Sequence, residues 1–130
     1  MTQRTTQVTN DTDVALVTTA ETVVATLEGT ATNRPGQTLS FRASARIESG
    51  ADSTHITLRV RRDSVTGTSV GDPLAQEIVG AVGDVATYAY DCQDVNPGEF
   101  SGRTYVLTAE QTAASANGES STATLECAYS

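Results

Sequence analysis

The stretch Leu39-Ser40-Phe41-Arg42-Ala43-Ser44-Ala45-Arg46-Ile47-Glu48 alternates apolar and polar side chains without a break. A period of two buries one face of a β-strand and wets the other. Beyond the polar break Ser49-Gly-Ala-Asp-Ser53, the pattern returns, with Ile56, Leu58 and Val60 against Thr57, Arg59 and Arg61. Working outward, the alternation recurs at roughly ten-residue spacing with turn signals between, the pattern of an antiparallel sandwich or barrel. Upstream lie Val14-Ala-Leu-Val17 and Glu21-Thr-Val-Val-Ala-Thr-Leu27, followed by the turn Asn33-Arg-Pro-Gly36, whose Pro35 and Gly36 suit a type II turn. Downstream come Asp63-Ser-Val-Thr-Gly67 as a turn and a weaker strand around Ala75 to Val79, bracketed by Pro73 and glycines 71, 80 and 83. An apolar row follows through Ala86, Tyr88, Tyr90 and Cys92, and then the turn Asn96-Pro-Gly98. Arg103 to Ala109 and Thr122 to Tyr129 complete about eight strands, with the reversal signal Asn117-Gly118 between them. The fold class is therefore all-β: an antiparallel β-sandwich of about eight strands, jelly-roll or immunoglobulin-like. Residues 1–13 read as a polar N-terminal arm and residues 14–130 as a single sandwich domain.

Composition supports this reading and narrows the function. The chain has 130 residues, suited to one domain. Thr supplies about one residue in six, a strand-forming bias. Eight basic residues, all Arg, stand against sixteen acidic ones, for a net charge of −8. A nucleic-acid binder needs a dense basic field, so nucleic acid is not an expected partner. The N-terminus lacks the apolar core of a secretory signal, and no stretch is long and apolar enough for a membrane helix, so synthesis in the cytosol and no membrane partner are expected.

No catalytic signature emerges. The single His55 lies beside a polar segment, and nucleophile-elbow, zinc-protease, dinucleotide and phosphate-loop motifs are all missing from the sequence. Asp91 with Asp94, or Glu110 with Glu126, would supply the paired carboxylates of a glycosidase, but scattered acids in an acidic chain read as solvated surface. The oxygen-rich Asn10-Asp-Thr-Asp13 lacks the remaining ligands of a calcium loop, and two cysteines with one His match no zinc spacing. The expectation is a non-enzymatic protein with no cofactor and no metal.

Two features remain. Cys92 and Cys127 both fall on core-facing parity, consistent either with a disulfide, if their strands are neighbours, or with two buried free thiols. Arg42 and Arg46 lie on the wet face of one strand, and Arg59 and Arg61 on the wet face of the next, with Arg62 beside them. Paired as a hairpin, the two strands would carry one basic stripe; split between sheets, two patches. Guanidinium groups suit bidentate contacts to carboxylates, so docking onto an acidic partner surface is one reading. Local pairing with Glu48 and Asp63 is the other.

The succession Glu21-Thr-Val-Val-Ala-Thr-Leu27, Ile56-Thr-Leu-Arg-Val-Arg-Arg62, Arg103-Thr-Tyr-Val-Leu-Thr-Ala109 and Ser121-Thr-Ala-Thr-Leu125 resembles small β-sandwich or jelly-roll structural proteins of tailed bacterial and archaeal viruses. The resemblance implies a virion component, such as a capsid decoration protein bound to the lattice of the major capsid protein. It also implies a homo-oligomer, often a trimer, made in the host cytoplasm and located on the capsid surface, with Thr2 to Thr12 available as an arm. The rival class is a binding module, an immunoglobulin-like domain of a virus tail or cell surface that recognises a host receptor or glycan. The absence of Trp and the core-facing Tyr positions count against sugar binding, while Phe100 is a candidate protein anchor.

Overall fold

The computed structural model describes residues 4–16, 20–32, 38–48, 53–79, 84–95, 100–112 and 118–129. Nine strands are formed: β1 (Arg4–Asn10), β2 (Val14–Leu16), β3 (Glu21–Thr32), β4 (Thr38–Glu48), β5 (Ser53–Arg62), β6 (Ser69–Val79), β7 (Val85–Val95), β8 (Phe100–Thr112) and β9 (Gly118–Tyr129). One sheet runs β1-β9-β4-β7, with β2 also paired to β9, and the other runs β3-β8-β5-β6. The turns expected at 33–36, 49–52 and 96–98 lie outside the described residues, as does the side chain of Phe100.

The pairing has a simple logic. β2 pairs with β9, β3 with β8, β4 with β7 and β5 with β6, all antiparallel. The chain is thus a nested hairpin with its apex at residues 63–68. Rolling that hairpin up sends alternate pairs to alternate sheets, and the further pairs β4–β9 and β5–β8 seal the roll. This is the jelly-roll arrangement and not the immunoglobulin-like one.

The expected parity holds in the central strands. Leu39, Phe41, Ala43, Ala45 and Ile47 of β4, and Ile56, Leu58 and Val60 of β5, are buried between the sheets. At the centre the Phe41 ring packs on Tyr105 of β8, centroids 4.6 Å apart and planes tilted by 49°.

Two stretches differ from the sequence reading. Residues 4–10, assigned to a polar arm, form the edge strand β1 along seven register pairs with β9. Val8 packs on the core, and the Asn10 side chain donates to the Val24 carbonyl at 2.8 Å, tying the edges of the two sheets. The strand escapes notice because it is polar throughout apart from Val8. The strand around Ala75 begins earlier than expected, at Ser69. Its register jumps from Leu58↔Leu74 to Val60↔Val70, so that Gly71, Asp72 and Pro73 bulge opposite Arg59. An edge strand tolerates Pro at such a bulge. Gly71 has φ +64, and a Cβ there would sit 3.0 Å from Cys92 Cβ, so glycine lets the bulge approach β7.

Candidate interaction surfaces

The roll distributes the five arginines over three places. Arg42 and Arg46 are on the outer face of the first sheet, Arg59 and Arg61 on the outer face of the second, and Arg62 at the sandwich edge. The single stripe expected from hairpin pairing of β4 and β5 is not formed, because these consecutive strands lie in different sheets.

Arg59 and Arg61 are occupied. Glu21 and Glu110 face each other across the β3–β8 ladder, a like-charge pairing that is unfavourable alone. Arg59 Nη1 resolves it by donating to Glu21 Oε1 at 2.8 Å and to Glu110 Oε1 at 2.9 Å. Arg61 grips Glu21 through Nε and through Nη2, the latter at 3.0 Å, and donates from Nη1 to the Gly67 carbonyl at 2.8 Å. Thr108 and Val106, on the same outer face, are sealed from solvent. Long arginine stems lying over a sheet account for that burial.

The partners differ from the sequence expectation of Glu48 and Asp63, since each is set by register with distant strands. Burial pushes the Glu21 carboxyl upward, but the Arg61 hydrogen bond and the Arg61 and Arg59 charges outweigh it, so the net direction is down from 4.5. A carboxylate lowered in the folded state contributes stability above its unfolded value and loses it as pH falls through the folded one. Glu21→Gln is expected to cost about 1 kcal/mol at neutral pH. Urea melts compared at pH 7 and below pH 4 should show the gap between wild type and variant closing in acid.

Arg62 continues the inward parity of Ile56, Leu58 and Val60. It forks onto Asp94 of β7, through Nη2 to Oδ1 and through Nε to Oδ2 at 2.9 Å. Tyr105 Oη donates to the same Asp94 Oδ2 at 2.8 Å. Asp94 is only 4% exposed, so its charge is compensated almost wholly by these two groups, and the clasp joins the two sheets. The hydrogen bond to Asp94 raises the Arg62 guanidinium, and burial, then Asp94, raises the Tyr105 phenol. The sequence carries a signal for this clasp: Asp94 extends the row Tyr88, Tyr90, Cys92, and Arg62 extends the row of β5, so both charges sit on core-facing parity.

Arg42 and Arg46 are different. The Arg42 side chain is 74% exposed, and its contact with Asp91, at 3.4 Å, is equally exposed. Arg46 donates to Ser121 Oγ at 3.1 Å. Around them the outer face of the first sheet carries Ser40, Ser44, Thr87, Ala89, Thr122, Thr124 and Ala128, with Glu126 opposite Arg42. A shallow depression lies here between Ser40, Arg42, Asp91, Gln93, Glu126 and Ala128.

Cys92 and Cys127 are buried free thiols, and the disulfide is not formed. Both stand opposite Phe41, one on β7 and one on β9, with β4 between them. Two strand spacings separate them by roughly 10 Å, beyond the ~7 Å that a disulfide bridges. Burial pushes the thiols up, Cys92 to about 11 and Cys127 to about 12. Reductant should therefore leave the melting temperature unchanged, and a thiol reagent at pH 8 should react with both cysteines only after denaturation.

Neither candidate carboxylate pair is brought together. Asp91 points out while Asp94 is buried, and Glu110 and Glu126 belong to different sheets. His55 is exposed on β5. In the Asn10–Asp13 stretch, Asn10 spends its side chain on Val24 and on the Thr12 amide, which donates to Oδ1 at 3.0 Å. Asp13 instead lies beside Glu119, and sharing a proton with Asp13, together with the neighbouring charges of Asp13 and Glu48, raises the half-buried Glu119 carboxyl. Among the described residues no group of three or more His, Cys, Asp or Glu is placed to hold a metal, and no helix is long and apolar enough to cross a membrane.

No family model matches the sequence, and no curated protein matches it. Solved structures do. The VP2 subviral particle of infectious bursal disease virus aligns with 97% of this chain and 32% of its own, at 9% identity and a TM-score of 0.59. The viral particle of the same virus aligns with 96% of this chain and 31% of its own, at 8% identity and a TM-score of 0.58. The disulfide-linked pili of Bacillus endospore appendages align with 96% of this chain and 87% of theirs at 20% identity, with a TM-score of 0.39, too low to place the fold. This chain spans about a third of the viral chains it matches. What it shares with those viral proteins is the capsid-like jelly-roll fold.

Proposed function

We propose that the protein is a non-enzymatic virion structural component, a decoration protein that docks on the shell of the major capsid protein through the outer face of its first sheet. The jelly-roll fold shared with a viral capsid protein supports the class. The observation that carries the docking face is the exposure of Arg42 and Arg46 on β4, while Arg59, Arg61 and Arg62 are committed to the chain's own carboxylates. An exposed ion pair such as Arg42–Asp91 contributes little, so exchanging Asp91 for a carboxylate of the shell costs little. The short Ser, Thr and Ala side chains around it permit close approach of a second surface. Repetition over a symmetric shell multiplies a modest contact into firm attachment. Such a role needs no cofactor, and it places the protein on the virion surface.

The double variant Arg42→Gln/Arg46→Gln should bind cognate capsid shells at least tenfold more weakly in a co-sedimentation assay at physiological salt. Its melting temperature should match that of the wild type. Undiminished binding would remove the first sheet as the docking face.

A further inference from the structure

We infer that the free edge of β7 is a self-association surface, on which a second copy of this chain pairs antiparallel about a two-fold axis at Tyr88. β7 ends its sheet, and eleven consecutive register pairs join it to β4 with no bulge. Its sequence contains no Pro, Gly, Lys or Arg. The other edges are blunted or tied. β3 breaks register three times, β6 carries the bulge with Pro73, and β1 is tied to β3 through the Asn10 side chain. Natural edge strands are usually protected against pairing, so a long regular one stands out as a docking edge.

Gly71 approaches Cys92 and Gln93, and among the described residues no strand pairs with the outer edge of β7 along 85–91. Along it the inward row Ala86, Tyr88 and Tyr90 is only partly buried, whereas the corresponding rows of β4 and β9 are sealed. The remedy for a half-covered row at a sheet edge is another strand.

The stretch is complementary to itself. A two-fold axis at Tyr88 sets Tyr88 beside Tyr88 of the second copy, and Ala86 beside the second copy's Tyr90, a small side chain against a large one. On the outer face Thr87 meets Ala89, and the exposed Val85 meets Asp91, so no like charges stand directly opposite. Such a contact is isologous and closes at two copies, unlike the three-fold assembly that the sequence resemblance implies. Seven residue pairs make a small interface, which predicts weak association. The contact runs along the β7 margin of the face proposed for capsid docking, and the two are told apart because self-association is read without capsid shells and with Arg42 and Arg46 unchanged.

Sedimentation velocity over a rising concentration series tests this directly. The wild type should move from the 13.5 kDa chain mass toward twice that value and stop there. Thr87→Lys/Ala89→Lys changes only exposed side chains and sets lysines opposite one another. It should keep the wild-type circular dichroism and melting temperature while weakening association at least tenfold. Thr87→Cys/Ala89→Cys should yield a covalent dimer on oxidation, as those positions face each other across the axis. A single-chain mass at every concentration, association untouched by the lysines, or growth beyond two copies would each overturn the two-fold β7 pairing.

Discussion

Asp94→Ala is expected to destabilise the protein by about 3–5 kcal/mol, the cost of leaving one member of a buried charge pair without its partner. The carboxylate is 4% exposed, and the groups it would strand are a bidentate guanidinium and a phenol from two other strands. Thermal melting should fall by roughly 10 °C or more. The variant removes few packing atoms, so a loss of this size reports charge and hydrogen bonding more than cavity formation. A second variant separates the two: Arg62→Met/Asp94→Leu/Tyr105→Phe removes every polar member and should recover most of the lost stability. A melting temperature for Asp94→Ala within 2 °C or so of wild type would show that the clasp does not hold the sheets together.

The second large effect belongs to the apex of the nested hairpin. A Cβ on Gly67 would lie 1.6 Å from the Arg62 carbonyl oxygen and 2.8 Å from its carbon, both backbone atoms that cannot rotate away. The turn is tightly specified. Arg62 N–H donates to the Thr68 carbonyl at 2.9 Å, Ser64 N–H to the Arg62 carbonyl at 2.8 Å, and Gly67 N–H to the Ser64 carbonyl at 2.9 Å. Asp63 adopts φ 71 and anchors the turn to β8 through its N–H to the Thr104 carbonyl at 2.7 Å. Gly67→Ala must displace this turn, and because Arg62 opens it, the displacement also pulls on the clasp. The expected cost is about 2–4 kcal/mol, at the upper end of single-residue backbone effects. Thr66→Ala, at an exposed position in the same turn, should stay within about 0.5 kcal/mol of wild type. Equal stability of Gly67→Ala and Thr66→Ala in chemical denaturation would contradict the turn geometry.

These two sites also mark where reading the sequence succeeds and where it stops. The alternation in β4 and β5 identifies both strands and their buried faces, because apolar residues fill the inward positions from Leu39 to Ile47 and from Ile56 to Val60. In β1 the same period is hidden, since its inward Asn10 and Thr6 are polar and only Val8 declares the face. Periodicity assigns a side chain to a face and leaves its sheet unassigned. For that reason Arg42 and Arg59 read as candidates for one stripe, although the roll puts them on opposite outer surfaces. The partners of Arg59 and Arg61 lie about 40 to 50 residues away in sequence, and only the registers of β3, β8 and β5 bring them together. The cysteines show the same limit: their inward parity is correct, but the strand between them depends on topology. Asp94 and Arg62 were within reach, since a charge on inward parity at the end of an apolar row calls for a buried partner of opposite sign.

The proposed docking face is most directly tested by hydrogen–deuterium exchange of the protein free in solution and bound to cognate capsid shells. Added protection confined to β4, β9 and β7, centred on the residues around Arg42 and Arg46, is the predicted result. Protection over β3, β8 and β5 instead, or no difference between free and bound protein, would contradict docking through the first sheet.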